Sequence, residues 1–186
     1  MALKSTIFRA ALNISDIDRG YYADHVLTVA RHPSETNERM MTRVLAFALY
    51  SSHAKEPLEF GKGLSSDDEP ALWERDLTGR ITQWIEVGIP DEKLLRRACG
   101  RSDAVVLLAY GGGRTVDMWW QANREALLRQ DKLTVKSVSS TCSKALAAMA
   151  DRALDLQCMI QDSEIWFSDA SERVLVEISQ FMPVTE

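Results

Sequence analysis

Cysteine, proline and glycine are all scarce in this chain of 186 residues, at 3, 5 and 9. Cys99, Cys142 and Cys158 are odd in number, widely spaced and form no C-x-x-C pair, so neither a disulfide framework nor a zinc knuckle is indicated. Positive charge is not in excess. Lys and Arg number 22 against 27 Asp and Glu, for a net charge of −5, and general affinity for nucleic acid would need the opposite balance. Any nucleic-acid contact must therefore come from a local patch. No apolar run approaches the roughly 20 residues of a membrane helix. The start, Met1 to Ser5, has one lysine and no apolar stretch behind it, unlike a secretory signal. His25, His32 and His53 lack metal-ligand spacing, and no Gly-x-Ser-x-Gly is present. What remains is a globular composition, 46% apolar and 26% charged. It is read as a single domain over residues 1–186, expected in the cytoplasm and off the membrane.

Periodicity predicts a mixed α/β (α+β) arrangement. Phe8 to Ile14 and His25 to Ala30 alternate and form an expected antiparallel hairpin. Pro33-Ser34 opens an expected helix, with Ser34 as cap and Glu35 and Glu38 in its first turns, running to about Tyr50 with Met41, Val44, Leu45 and Ala48 on one face. Pro70 to Asp76 and Ile81 to Val87 read as strands around a Thr78-Gly79 turn. A helix from Pro90-Asp91 to Gly100, a buried strand from Ala104 to Tyr110, a helix from Thr115 to about Gln130 and a strand from Leu133 to Val138 follow. This order predicts parallel pairing with right-handed crossovers. After a short helix around Lys144 to Met149, the segments Leu154 to Gln161, Glu164 to Phe167 and Arg173 to Phe181 predict an antiparallel meander. One mixed sheet flanked by helices, with hairpins at both ends, is the expected fold.

Carboxylates gather between Glu35 and Glu86. Asp67-Asp68-Glu69-Pro70 opens one expected strand, and Glu86 lies near the end of the next, so the turn between them brings Asp68 and Glu86 to one end of the sheet. Glu86 sits in the apolar run Trp84-Ile85-Glu86-Val87, where a carboxylate needs a cation, a metal or water. Glu38 lies on the core-facing stripe of the first helix. Two or three such groups suit Mg²⁺ or Mn²⁺, which keep waters and leave room for phosphate oxygens. From spacing alone the same residues read more readily as a solvated loop, an arginine pair and helix-dipole charges.

Several stretches resemble the YaeQ family: Ala30-Arg31-His32-Pro33-Ser34-Glu35-Thr36, Glu38-Arg39-Met40-Met41, Asp67-Asp68-Glu69-Pro70, Trp84-Ile85-Glu86-Val87-Gly88, Pro90-Asp91-Glu92 and Trp119-Trp120-Gln121. The likeness runs from Met1 to the Ile165-Trp166 tail. The resemblance implies a variant PD-(D/E)XK nuclease-like core with a divalent-metal acidic site. Asp68 takes the first acidic role, with Asp67 or Glu69 as its alternates, Glu86 takes the second, and Glu38 matches the helix glutamate. The wider motif has a lysine two positions after its second acid, where this chain has Gly88, and Lys62, Lys93 and Gln121 are candidate substitutes. Arg31, Ser34, Glu35, Asp67, Glu69 and Lys93 complete the candidate pocket. The expected substrate is a nucleic-acid phosphodiester, and the rival expectation is a non-catalytic relative that binds nucleic acid or protein.

Other features carry less. Gly111-Gly112-Gly113-Arg114 stands where phosphates bind but lacks the P-loop Lys-Ser/Thr, and reads as a turn. Arg96, Arg97, Arg101, Arg124 and Arg129 read as solvated helix charges. Trp119 and Trp120 point about 100° apart on a helix, so at least one belongs to the core.

Overall fold

The computed structural model describes residues 5–62 and 69–183. Its first sheet contains β1 (Thr6–Asp16) and β2 (Tyr21–Arg31), the expected hairpin, together with β8 (Ala153–Gln161), β9 (Glu164–Ser168) and β10 (Arg173–Leu175). Their order is β10-β9-β8-β1-β2, and β1 pairs parallel with β8 while the other neighbours are antiparallel. A second sheet contains β3 (Glu59–Phe60), β4 (Leu72–Arg75), β5 (Ile81–Val87), β6 (Ser102–Ala109), β7 (Leu133–Val138) and β11 (Ile178–Met182), in the order β11-β7-β6-β5-β4-β3. Here β5, β6 and β7 are parallel and the edges antiparallel. The fold is thus mixed α+β with two mixed sheets, not one. The single-sheet expectation fails because β1 and β8, 144 positions apart at their first paired residues Arg9 and Ala153, join by a long-range pairing that periodicity does not encode.

Helix α1 (Asn37–Tyr50) lies between the sheets, and every residue from Met40 to Tyr50 is buried. It shares a core with Phe8, Leu12 and Ile14 of β1, Leu156 of β8, Val87 of β5 and Leu146 of α4 (Ser140–Ala148). Helices α2 (Glu92–Arg101) and α3 (Thr115–Leu127) cover the other face of the second sheet through Leu95, Val116 and Leu127. The order of layers is sheet, α1 with α4, sheet, α2 with α3. No helix among the described residues is long and apolar enough to cross a membrane.

Three local expectations need correction. Ser34 does not cap α1. The cap is Thr36, whose hydroxyl accepts from Arg39 N at 3.1 Å, and Glu35 lies before the helix rather than in its first turn. Gly100 does not end α2, because Ser102 takes over and its hydroxyl bonds Ala98 O at 2.8 Å. The expected strand from Arg173 to Phe181 is split, with β10 in the first sheet and β11 in the second, so the chain changes layer at Val176-Glu177. By contrast, Asp91 caps α2 by accepting from Lys93 N at 2.9 Å, and β5 has the expected bounds.

Replacing Thr36 with alanine is expected to lower stability to chemical denaturation by about 1 kcal/mol through loss of the cap, whereas Ser34→Ala stays within about 0.5 kcal/mol. Equal effects would return the cap to Ser34.

Candidate functional site

Glu35 sits in the link between β2 and α1. Its backbone N–H donates to His32 O at 2.8 Å, which turns the carboxylate inward. One oxygen accepts from Arg39 Nη1 at 2.9 Å, and Arg43 Nη1 stands 3.1 Å from both. The side chains of Glu35 and Arg43 have no exposure at all. Arg43 also donates to Ala30 O at 3.2 Å and Gly61 O at 3.3 Å, and lies 5.3 Å above the Phe60 ring. Burial pulls its pKa down from the usual guanidinium value, and Glu35 pulls it back up. It remains a cation at neutral pH.

Arg39 extends the chain of charges. Its Nη2 donates to Glu86 Oε1 at 3.2 Å while Nη1 holds Glu35, so one guanidinium joins the loop before α1 to strand β5. Glu86 also accepts from its neighbour Val87 N at 3.1 Å. Burial pushes its carboxyl pKa upward, and Arg39 and the Val87 N–H oppose the rise. Glu38, one step along α1, accepts from Ser143 Oγ at 2.6 Å and thereby ties α1 to α4. Tyr110, just past β6, bonds the Thr36 side chain, and burial pushes its pKa up to about 12. It is a neutral donor or acceptor at physiological pH.

Gly88 has φ +101, in the left-handed region that favours glycine, and its N–H donates to Leu108 O at 3.0 Å. A lysine at this position would carry a strained backbone.

The predicted residues divide as follows. Glu35 and Glu86 meet on Arg39, Arg43 joins them at Glu35, and Glu38 turns instead to Ser143. Arg31 lies close by, bonding Asn37 with its guanidinium 5.2 Å above the Phe8 ring. Glu69 is held by Lys62, through its N at 3.0 Å and Nζ at 3.1 Å, which lowers the Glu69 pKa. Ser34 is exposed, with only its backbone N–H bonded, to His32 Nδ1. Lys93 is exposed on the first turn of α2, and Gln121 lines a shallow depression on α3 with Arg114, Asp117 and Met118, away from the glutamates. Asp67 and Asp68 lie outside the described residues. Trp119 and Trp120 both pack: Trp119 Nε1 donates to Pro90 O at 2.9 Å, and Trp120 stacks on Phe181 at 5.4 Å.

Sequence reasoning missed Arg43, Tyr110 and Ser143 and quoted Arg39 only as part of a motif. Arg43 carried a signal, since it interrupts the apolar run from Met40 to Tyr50, and a cation on an all-round buried helix demands an anion nearby.

A divalent metal would have to displace the partners that these groups already hold. The four described glutamates of the candidate pocket each have a partner: Glu35 and Glu86 on arginine, Glu38 on serine, Glu69 on lysine. Among the described residues no three His, Cys, Asp or Glu side chains are grouped to hold a metal ion. The described residues therefore do not fit a metal centre.

These features define a mixed α+β protein with an arginine-bridged acidic cluster where α1 meets β5. The sequence profile of the family described as YaeQ protein matches residues 1–178. The chain is 42% identical to the protein named Uncharacterized protein YaeQ of Salmonella typhi over 179 residues, 96% of this chain and 97% of the relative. The Escherichia coli (strain K12) protein of that name matches with the same identity and coverage. The crystal structure of the YaeQ protein from Xanthomonas axonopodis pv. citri superposes with a TM-score of 0.88 at 46% identity, covering 95% of this chain and 98% of that one. The YaeQ structure from Pseudomonas syringae gives 0.89 at 36% identity, covering 97% of each. The chain belongs to the YaeQ family.

Two outcomes test the cluster. Arg43→Met breaks a fully buried pair and is expected to cost about 3–5 kcal/mol in urea unfolding, while Arg80→Ala, at an exposed pair, leaves the midpoint unchanged. The pH dependence follows from Glu86. Its folded pKa lies above the ordinary 4.5, so above that pH the unfolded chain binds fewer protons and stability falls as pH rises through the raised value. Glu86→Gln removes this fall; an unchanged pH profile in the variant would show that Glu86 does not cause it.

Proposed function

We propose that this chain is a non-catalytic member of the nuclease-like PD-(D/E)XK architecture, a protein-binding module whose acidic corner is closed by arginine. The observation that carries the reading is Arg39, which bridges Glu35 and Glu86 at 2.9 and 3.2 Å and so occupies both carboxylates with an internal cation. Two further observations support it. Helix α2 runs back from the end of β5 to the start of β6, so the backbone of Arg101 in its last turn is carried away from Glu86, while Arg96 in mid-helix is turned to Glu92 at 3.9 Å and not to the cluster. The outward face of the first sheet, meanwhile, presents Ile7, Tyr22 and Val26 at 51%, 65% and 88% exposure, on one side of β1 and β2 by register. They are spaced along that face with Arg9, Thr28, Asn13 and Asp24 between them, and such a mixed strip on an open sheet face suits a protein partner.

A second reading, a Mg²⁺- or Mn²⁺-dependent phosphodiesterase with Glu38, Asp68 and Glu86 as ligands, is favoured by one observation. Both flanks of the segment carrying Asp67 and Asp68 touch the cluster: Gly61 O accepts from Arg43, and the Ala71 N–H donates to Glu86.

The experiment combines calorimetry with Mn²⁺, incubation with labelled single- and double-stranded DNA and RNA, and photo-cross-linking from position 26. The expected result is no metal heat at millimolar Mn²⁺, no cleavage, and a discrete protein adduct from position 26 that Tyr22→Arg abolishes. Mn²⁺-dependent cleavage lost in Asp68→Ala would overturn the reading in favour of the second. Nucleic acid retained without cleavage would move the module to nucleic-acid binding.

A further inference from the structure

A second charged corner lies at the other end of α1, about 16 Å from Arg39 by helical rise over the eleven residues to Tyr50. It begins with Lys136. On β7, Lys136 shares a face with Val138, and its partner across the parallel ladder is Leu108; both neighbours belong to the core between the sheets. A lysine is thus set at a position where the sheet calls for an apolar side chain. Its Nζ lies 5.8 Å over the centroid of Tyr50, a long cation–π contact, and among the described residues it has no hydrogen bond or ion pair. Burial, with Arg19 nearby, lowers its pKa. Structural lysines in such positions find a carboxylate, and this one does not.

The two carboxylates near it are committed elsewhere. Asp16, fully buried, accepts from Arg19 N at 3.1 Å and Arg19 Nη1 at 3.2 Å. Asp18 gives one oxygen to Asp162 N at 2.7 Å and the other to Ser163 N at 2.9 Å. The formal charges of Arg19 and Lys136 balance those of Asp16 and Asp18, but the carboxylates are tied to fixed donors while the ammonium keeps all three of its own. The local field is positive at His53: after burial, Arg19 is the largest cause lowering its pKa, and Lys136 adds to it against Asp16. Burial keeps the Tyr50 phenol protonated, so it is available as an O–H donor. These groups surround a cleft of about 460 Å³, whose remaining walls include Ile160, Ile165 and Ile178. That volume and that mixture of apolar wall and convergent polar groups are those of a small-molecule site.

We propose that this cleft binds the phosphate or carboxylate head of a small organic anion, with Lys136, Arg19 and Tyr50 as its donors and the isoleucines receiving the apolar part. The site is independent of the Glu35–Arg39–Glu86 cluster and of the function proposed for it. A bound anion supplies the missing partner of Lys136 and raises the proton affinity of His53.

Heteronuclear NMR titration of the full chain with inorganic phosphate, and separately with acetate, at ionic strength matched by sodium chloride, tests it. Saturable shifts at Lys136, His53 and Arg19 are expected with at least one of the two, together with a rise in the His53 pKa; which anion saturates identifies the head group. Lys136→Met is expected to weaken binding at least about tenfold, as loss of a charged hydrogen bond implies, and Lys144→Met on exposed α4 leaves it intact. Thermal melts keep the test decisive if binding is weak. Phosphate or acetate should raise the wild-type melting temperature and not that of Lys136→Met, which in the absence of anion melts no lower than wild type. No saturable shift with either anion, shifts reproduced by chloride, or binding retained in Lys136→Met would each overturn the proposal.

Discussion

Arg43 is a guanidinium with no access to water, placed in the middle of a helix that is itself buried between two sheets. Much of the surrounding structure follows from that placement. A buried cation needs an anion at bonding distance and acceptors for its remaining N–H groups. Glu35 supplies the anion, and it can do so because it lies outside α1, where the chain is free to turn its side chain inward. The helix therefore begins at Asn37, with Thr36 as cap, and the carbonyls of Ala30 and Gly61 are drawn to the same guanidinium. One side chain thus fixes the end of β2, the start of α1 and the end of β3 relative to one another.

Such a cluster adds little net stability compared with a well-packed apolar core, because desolvating two ions offsets their attraction. Its effect is on register. Arg39 reaches Glu86 only if α1 sits at one height and rotation over β5, and Glu38 reaches Ser143 only if α4 sits correctly against α1. The same geometry bears on chemistry. The left-handed backbone at Gly88 would strain a lysine there, and the cation bonded to Glu86 is an arginine delivered from the helix. An arginine stays charged and makes two directional contacts, which suits a permanent bridge better than a proton-handling group.

What could be read from the sequence was whatever is local. The alternation of β5, the Asp91 cap and the apolar stripe of α1 each depend on neighbours within a few positions, and each is found as expected. The Ser34 cap failed because two hydroxyl residues, Ser34 and Thr36, stand two positions apart and local chemistry does not choose between them; the pull of Arg43 on Glu35 does. The two-sheet division failed for a different reason. Strands β1 and β8 pair across most of the chain, and β10 and β11 are separated by only Val176 and Glu177 yet enter different sheets. Neither fact leaves a periodic trace. At the candidate site, Glu86 was conspicuous because a carboxylate interrupts an apolar strand. Arg43 interrupts an apolar helix in the same way, and the two anomalies answer one another through Glu35 and Arg39.

That symmetry gives a way to sort buried charges into structural and functional ones. Arg43, Glu35 and Glu86 all violate the apolar pattern, and each violation is cancelled by another inside the protein. Lys136 violates it on β7 in the same manner, at the far end of the same helix, but the carboxylates within reach are already bound to Arg19 and to backbone N–H groups. A charge whose partner is internal holds the fold together. A charge set in a core-facing position beside a cleft, with its donors uncommitted, is accounted for most simply by a partner that comes from outside.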